Sequence, residues 1–481
     1  MEKMMSTSIM ITAVSLIASS TVHAQSLNTP RFNDDRPMII ESFSWSTSEV
    51  QEPAPPDTFE SYELPVALED TFTLHSNPGA TKVVYLDFDG HTIMWRGEEF
   101  HYDAWNMEGP DATFSDTERT IIQLIWQSIS EDFLPFDLDV TTEYPGLEAL
   151  KNTGGMDEEW GIRVVINHST DRYSWAYTDS FNDSEDTEMY AWTGPNPSSI
   201  EETWIWTSDS VSHEAGHALG LSHDGTKRGV EYYEGHGTGD NTWSPIMGWT
   251  NYGLSQWARG EYTDANNQED DIEIITTQNG FGFRADDHGS DLSTATPIDI
   301  YGTDASVGII ERSDDIDFFA FSIDVSGSLK VTFTPDSLSP NLDIEASILD
   351  SEGALLQSSN PPTAIDAELE IFLVAGDYFL SVDGAGYDDP DSDGYSDYGS
   401  LGYYEIRASF EGDPVDTGDS GLVVDTDDSG ELGTPDEEVA GGCSCSSDRV
   451  TSSGALFAVS LCLVLIRRRR WGQCAQTLVR R

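Results

Sequence analysis

The apolar positions of this 481-residue chain change their period along its length, and the changes mark out its parts. Residues 82–88 are a β-branched and aromatic run that stops at Asp89-Gly90, as a strand does on entering a turn. From 118 to 133, apolar side chains recur at Ile121, Ile122, Leu124, Ile125, Ile129 and Phe133, which is helical spacing. Ser115 or Asp116 can cap that helix, and Pro135 ends it. Residues 136–142 alternate like a strand, and 163–167 suit a short buried one. A second helix is expected to start at Ser208 or Asp209, with Val211, Ala215, Ala218 and Leu219 inward and Leu221 beneath its end. A last helix ends near Ile275, capped or solvated by Glu269, Asp270 and Asp271. Beyond residue 290 the pattern becomes short alternating strands between Gly and Asp turns, as in 317–323, 329–333 and 378–382, which predicts a β-sandwich. The stretch 173–206 is rich in Trp and Tyr but fixes no period.

The ends of the chain read differently. Residues 1–24 have the form of a secretory signal peptide, with an apolar run from 9 to 18 and Val22-His23-Ala24 as the cleavage site. Residues 25–78 are rich in Pro, Ser and acidic residues and form either a propeptide or a flexible spacer. Residues 286–290 read as a linker, and 412–442 as an acidic disordered one. Residues 443–481 hold Cys443-Ser444-Cys445, a short apolar run from 454 to 466 and four arginines from 467, the pattern of a short transmembrane segment with a basic stop.

Composition narrows the function. Asp and Glu number 87 against 23 Lys and Arg, a formal net charge of -64, so neither nucleic acid nor an anionic lipid surface is an expected partner of the folded part. Membrane contact is expected only through the C-terminal tail. All four cysteines lie at or beyond position 443, so the globular part has no disulfide and no upstream thiolate to plug a metal.

The most specific chemistry lies at 213–224, which reads H-E-x-x-H-x-x-G-x-x-H-D. His213 and His217 are four apart, on one face of a helix, where two imidazoles can bind one Zn²⁺. Gly220 can take the left-handed conformation that ends the helix and brings His223 back as a third ligand. Three protein ligands leave a fourth position open, as a catalytic zinc requires. Glu214 is beside the ligands and suits a general base.

With Ser244-Pro245-Ile246-Met247-Gly248-Trp249, this constellation resembles the zinc motif and Met-turn of metzincin peptidases. Asp224 after the third His, together with 232–237 and 256–262, is similar to the reprolysin (adamalysin)-like bacterial branch. The resemblance covers about residues 80–280. It implies an α+β domain, a twisted mixed sheet plus an active-site helix, over 79–284. It also implies an edge strand lining the substrate cleft somewhere in 173–206, and Met247 as an apolar floor under the histidines rather than a ligand. Trp249 stands where some metzincins carry a tyrosine, so no tyrosine ligand is assigned. His236 is expected to order its loop, a second metal or substrate contact being the alternative. His168 and His288 are expected to be plain structural or surface histidines.

Residues 285–411 resemble a bacterial pre-peptidase C-terminal (PPC) domain, through 315–319, 375–378 and 394–404. Within them Asp389, Asp391 and Asp393 offer an oxygen-rich loop for Ca²⁺, although Ser400 stands where an EF-hand would need Glu. The tail resembles a MYXO-CTERM sorting signal, a plain tail anchor being the alternative. The combined expectation is an exported, monomeric zinc endopeptidase, extracellular or on the outer-membrane surface of a Gram-negative-type bacterium, acting on proteins or peptides. Its rivals are an inactive surface adhesin and a zinc hydrolase of non-peptide amides.

Overall fold

The computed structural model describes residues 38–42, 62, 64–95, 98–107, 113–167, 173–192, 200–249 and 253–412. The signal peptide, most of the segment 25–61, His168, the acidic spacer and the tail lie outside the described residues. Among the described residues no helix is long and apolar enough to cross a membrane, and the apolar run 454–466 is not among them.

The first module is a mixed α/β layer. Its strands are β1 (Met38–Ser42), β2 (Lys82–Asp87), the hairpin β3 (His91–Trp95) and β4 (Glu98–Tyr102), β5 (Asp139–Thr141), β6 (Trp160–Asn167), β7 (Tyr173–Tyr177) and β8 (Met189–Trp192). Six of them form one sheet in the order β1-β7-β8-β6-β2-β5. Strands β5, β2, β6 and β8 run parallel, whereas β7 is antiparallel to β8 and β1 is antiparallel to β7. The buried parallel strands explain the continuous apolar run of β6, in which all seven residues from Gly161 to Asn167 are buried. A buried cation on this run is neutralised: Arg163 is clasped by Asp87 and Asp186.

Helix α1 (Asp116–Phe133) packs on α2 (Ile200–Ala218), and α2 lies against β7 and β8. The α1 start is a capping box, in which the Ser115 side chain accepts from the Glu118 N–H and the Glu118 carboxylate accepts from the Ser115 N–H. The α2 start corrects the sequence expectation by eight residues. Ser208 does not cap. Its hydroxyl donates to the Trp204 carbonyl at 2.9 Å, and Thr207 donates to that of Thr203 at 2.6 Å. Residues that could cap a helix are thus satisfied inside one.

Two further differences concern chain boundaries. Residues 64–78 belong to this module rather than to a spacer: Leu74 and Thr71 are buried, Leu74 N–H donates to Thr142 Oγ1 at 3.0 Å, and Gln123 Nε2 donates to Thr71 Oγ1 at 2.9 Å. Residues 136–138 are not strand. Phe136 instead forms a lone bridge to Phe283.

After the short parallel pair β9 (Trp243–Pro245) and β10 (Leu254–Gln256) comes α3 (Asp271–Gln278), capped by the Asp270 carboxylate accepting from Glu273 N–H at 2.9 Å. The second module is all β: β11 (Thr296–Pro297), β12 (Ser306–Ile310), β13 (Ile316–Ile323), β14 (Gly327–Pro335), β15 (Ile344–Asp350), β16 (Leu355–Ser359), β17 (Ala367–Leu373), β18 (Gly376–Gly384) and β19 (Gly402–Gly412). They form two sheets, β11-β13-β18-β15-β16 and β12-β19-β14-β17. Inward positions of β14 (Leu329, Val331, Phe333) are fully buried and alternate with Lys330 and Thr332. Each contributes roughly 1.5–3 kcal/mol of apolar burial.

The two modules share one hydrophobic core and are tied by buried polar bonds. Gln256 Nε2 donates to the Asn341 carbonyl at 2.6 Å, Asn341 Nδ2 donates to Asp132 Oδ1 at 3.0 Å, and Tyr398 donates to Asp270 at 2.7 Å. The expected linker at 286–290 is ordered within the sandwich: Phe318 N–H donates to the Gly289 carbonyl at 3.0 Å.

Candidate metal centre

Helix α2 ends in a tight reversal. Gly220 has φ +105°, the Leu221 N–H donates to the Gly216 carbonyl at 2.9 Å, and the Gly220 N–H to that of His217 at 3.0 Å. This pair of bonds is a Schellman motif, and it needs a residue without Cβ at the left-handed position. The turn returns the chain so that His223 meets the two helical histidines.

Each of His213, His217 and His223 offers a ring nitrogen, and the three lie within 4.8 Å of one another. His213 Nδ1 is 2.9 Å from the Ile246 carbonyl, and His217 Nδ1 is 2.9 Å from that of Leu221. A carbonyl can only accept, so both Nδ1 atoms carry the proton and Nε2 is left as the lone-pair donor. The donor set fits Zn²⁺: three imidazoles, two of them oriented by backbone acceptors. His213, Glu214 and His217 are buried at 5%, 0% and 0% exposure. His223 is more open, with Nδ1 3.6 Å from Glu231 Oε1.

The segment 242–249 forms the floor. Met247 is fully buried, and a Cβ built at Gly216 would stand 2.3 Å from its Sδ. Gly216, between the two helical histidines, therefore lets the thioether press against the helix. Asp224 is buried behind the third histidine. Its N–H donates to the Met247 carbonyl and its carbonyl accepts from Tyr233 N–H, both at 2.7 Å. Burial pushes its carboxyl up to about 7.

Several further residues support the three histidines. Tyr232 packs its ring 4.6 Å from that of His223 and 6.0 Å from that of His213. Glu269 accepts from Ser222 N–H at 2.9 Å and from its hydroxyl at 3.0 Å, fixing the residue before the third histidine. Asp132, fully internal on α1, accepts the Ser212 hydroxyl at 2.5 Å, one residue before His213. Burial pushes the Asp132 carboxyl up to about 7, although the Ser212 and Asn341 hydrogen bonds act the other way.

His236 sits apart from the three histidines. Its Nδ1 accepts the Tyr233 hydroxyl at 2.8 Å, and its Nε2 donates to the Gly394 carbonyl at 2.6 Å, so it fastens its loop to the sandwich. Asp389, Asp391 and Asp393 are not brought together. Among the described residues three sets of His, Asp or Glu come close enough to hold a metal ion, and none includes them. Asp389 instead closes its own turn, accepting from the N–H groups of Asp391 and Gly394 at 3.0 and 3.1 Å.

No family model matches the chain, and no curated protein matches it. Among solved structures it is similar to the pre-peptidase C-terminal domain of a collagenase from Bacillus anthracis, at 14% identity over 24% of this chain and 93% of that one, with a TM-score of 0.18. It is also similar to PliG of Aeromonas hydrophila, a periplasmic inhibitor of g-type lysozyme, at 12% identity over 24% and 96% of the two chains and a TM-score of 0.18. A third similarity is to the CBM35 of Abf62 from Cellvibrio japonicus, at 11% identity over 27% and 88%, with a TM-score of 0.15. Similarities this distant say nothing of activity.

Proposed function

We propose that the chain is a zinc-dependent endopeptidase of the metzincin type, reprolysin-like, exported and displayed at the cell surface or released. The observation that carries this reading is the convergence of His213, His217 and His223 around one point, with two Nε2 atoms left as donors. A zinc ion held there supplies Lewis acidity to the scissile carbonyl and acidity to a water. Glu214 takes the proton from the attacking water and returns it to the leaving amine. Its complete burial supports that role, because low dielectric strengthens its electrostatic interaction with a cation and with a proton.

Peptide substrate is read as adding to β7 as an antiparallel strand, the main chain giving affinity and side-chain pockets giving selectivity. In the chain itself β1 takes that edge, with Met38 opposite Tyr177, Ile40 opposite Trp175 and Ser42 opposite Tyr173. On this reading β1 belongs to a propeptide that holds the enzyme latent, and no cysteine takes part. The sandwich is read as a PPC-like accessory module, and residues 443–481 as the sorting tail.

The experiment is casein hydrolysis by the purified chain, with and without a zinc chelator, beside Glu214→Gln. Chelator-sensitive cleavage that disappears in the variant supports the reading. Absence of cleavage after zinc loading and removal of β1 contradicts it.

A further inference from the structure

Where the first module meets the sandwich, the chain encloses a cavity of about 670 Å³ that the proposed chemistry does not use. The first half of α2, the segments leading into β9 and β10, and the turns after β14 and before β17 line it. Four aspartates face it, Asp209, Asp240, Asp336 and Asp366, and no Lys, Arg or His is among the described lining residues. Ile205, Leu338 and Pro340 give it apolar walls, and Tyr62 and Trp204 add two aromatic ones. Asp209 is four residues before His213, about one turn or 6 Å further up α2.

The four carboxylates are not equivalent. Asp336 is already satisfied: Oδ2 accepts from Gln127 Nε2 at 2.9 Å, and Oδ1 accepts from the N–H groups of Leu338 and Ser339 at 2.8 and 3.0 Å. Asp240 and Asp366 are exposed. Asp209 is half-buried, and among the described residues no donor reaches its carboxylate. Burial, with the Asp132 carboxyl as the second cause, pushes it well above the usual carboxylate range. A second unmet group is independent of this charge. Trp204 is 5% exposed, and its Nε1–H has no acceptor. A buried N–H left unpaired costs about 1–3 kcal/mol. The cavity therefore calls for a cation beside Asp209 and a hydrogen-bond acceptor beside Trp204.

We propose that this cavity binds an arginine side chain of a polypeptide, with the guanidinium against Asp209 and a main-chain carbonyl of the same segment on Trp204 Nε1. A polypeptide supplies both the cation and the acceptor, which a simple inorganic cation does not. A metal ion fits poorly for a further reason: none of the four aspartates belongs to a set of carboxylates close enough to share one. Arginine suits the walls better than lysine. Its flat guanidinium can stack on an aromatic ring and offers five N–H donors in a fork, while its methylenes lie against Ile205 and Leu338. The net charge of -64 draws cationic segments toward the chain. The inference does not depend on the zinc reading, since binding is measured without turnover. The rival is an Asp209 that simply keeps its proton and a cavity that takes no peptide.

The test is titration calorimetry of the full chain with acetyl-Gly-Arg-Gly-amide and with its citrulline counterpart, an uncharged near-isostere. The arginine peptide is expected to bind at least about tenfold tighter, because a hydrogen bond to a charged group is worth more than a neutral one. Stripping zinc with a chelator is expected to leave both affinities unchanged. Asp209→Asn is expected to bring the arginine peptide down to the citrulline affinity while melting no lower than the parent, because it removes a carboxylate without a donor. Trp204→Phe keeps a ring, removes the N–H and is expected to weaken both peptides about fivefold. Equal affinity of the two peptides for the parent, or binding of neither, overturns the proposal in favour of the retained proton. Arginine binding that Asp209→Asn keeps also overturns it, and binding that disappears with the zinc overturns it by assigning the peptide to the metal centre.

Discussion

Gly216 lies against Met247 so closely that a single methyl group on the glycine would fall 2.3 Å from the methionine sulfur. The two histidines of the helix stand on either side of this glycine, so the contact sets the height of the floor beneath both rings. Gly216→Ala forces the buried thioether to move. The expected cost is about 1–3 kcal/mol of stability, the range for overpacking a tight core. Zinc affinity is expected to fall as well, checked by thermal melting and by metal analysis after dialysis. A variant that melts and retains zinc like the parent would show that the contact is slack.

Asp132 braces α2 through Ser212 and the sandwich through Asn341. Its carboxyl is held at about 7 in the folded chain against an ordinary 3.8. The folded state therefore keeps a proton that the unfolded chain has already lost over that range. This contribution to stability is complete below about pH 4 and is lost as the pH rises through 7. Asp132→Asn is expected to flatten the fall in denaturant stability between about pH 4 and 7, with a residual slope from Glu131, also raised by burial. At low pH the variant is expected to stay close to the parent, because the amide stands in for the protonated carboxyl. An unchanged slope would remove Asp132 from the pH response.

Truncation separates the two roles of the N-terminal region. A chain starting near residue 62 loses β1 but keeps Thr71 and Leu74, which bond to Gln123 and Thr142. It is expected to hydrolyse casein at least about tenfold faster than the chain that keeps β1, because the β7 edge is open. A chain starting at 79 loses those buried contacts too and is expected to melt at a lower temperature, checked by calorimetry. Equal activity of the full-length and 62-start chains would mean that β1 does not block the cleft.

Gly220 tests the turn that brings His223 to the two helical histidines. Its φ of +105° is outside the range of ordinary residues, while a Cβ there would meet only Ile274, at 3.6 Å. Gly220→Ala is therefore a backbone effect with no steric clash. A loss of about 1–2 kcal/mol and weaker zinc retention are expected. The readouts are a denaturant melt and bound zinc after dialysis.

What the sequence made legible was local. The i, i+4 histidines, the glycine that ends their helix, the Ser115 cap and the alternation of β13, β14 and β18 all depend on neighbours within a few residues, and the structure carries them as read. The start of α2 was hidden because Ser208 turns its hydroxyl back onto its own helix, a choice that tertiary burial makes. Residues 64–78 lack any period, and their order comes from bonds to partners more than 50 positions away. The acidic residues show the same division. Closely spaced Asp389, Asp391 and Asp393 suggested a cation loop and do not converge, whereas Asp286, Glu311 and Asp315, spread over 30 positions, do. Tyr232 likewise reaches His223 only through the fold of its loop.

The most direct test of the central reading is the pairing of metal content with turnover in Glu214→Gln. Zinc is measured by elemental analysis on the purified parent, Glu214→Gln and His213→Ala chains lacking β1, and casein hydrolysis on the same samples. The parent is expected to hold one zinc and to cleave. Glu214→Gln is expected to keep its zinc and to lose at least about 100-fold in rate, and His213→Ala to lose both. A Glu214→Gln variant that cleaves like the parent, or a parent that holds zinc without cleaving, would contradict the assignment of Glu214 as the base of a peptidase.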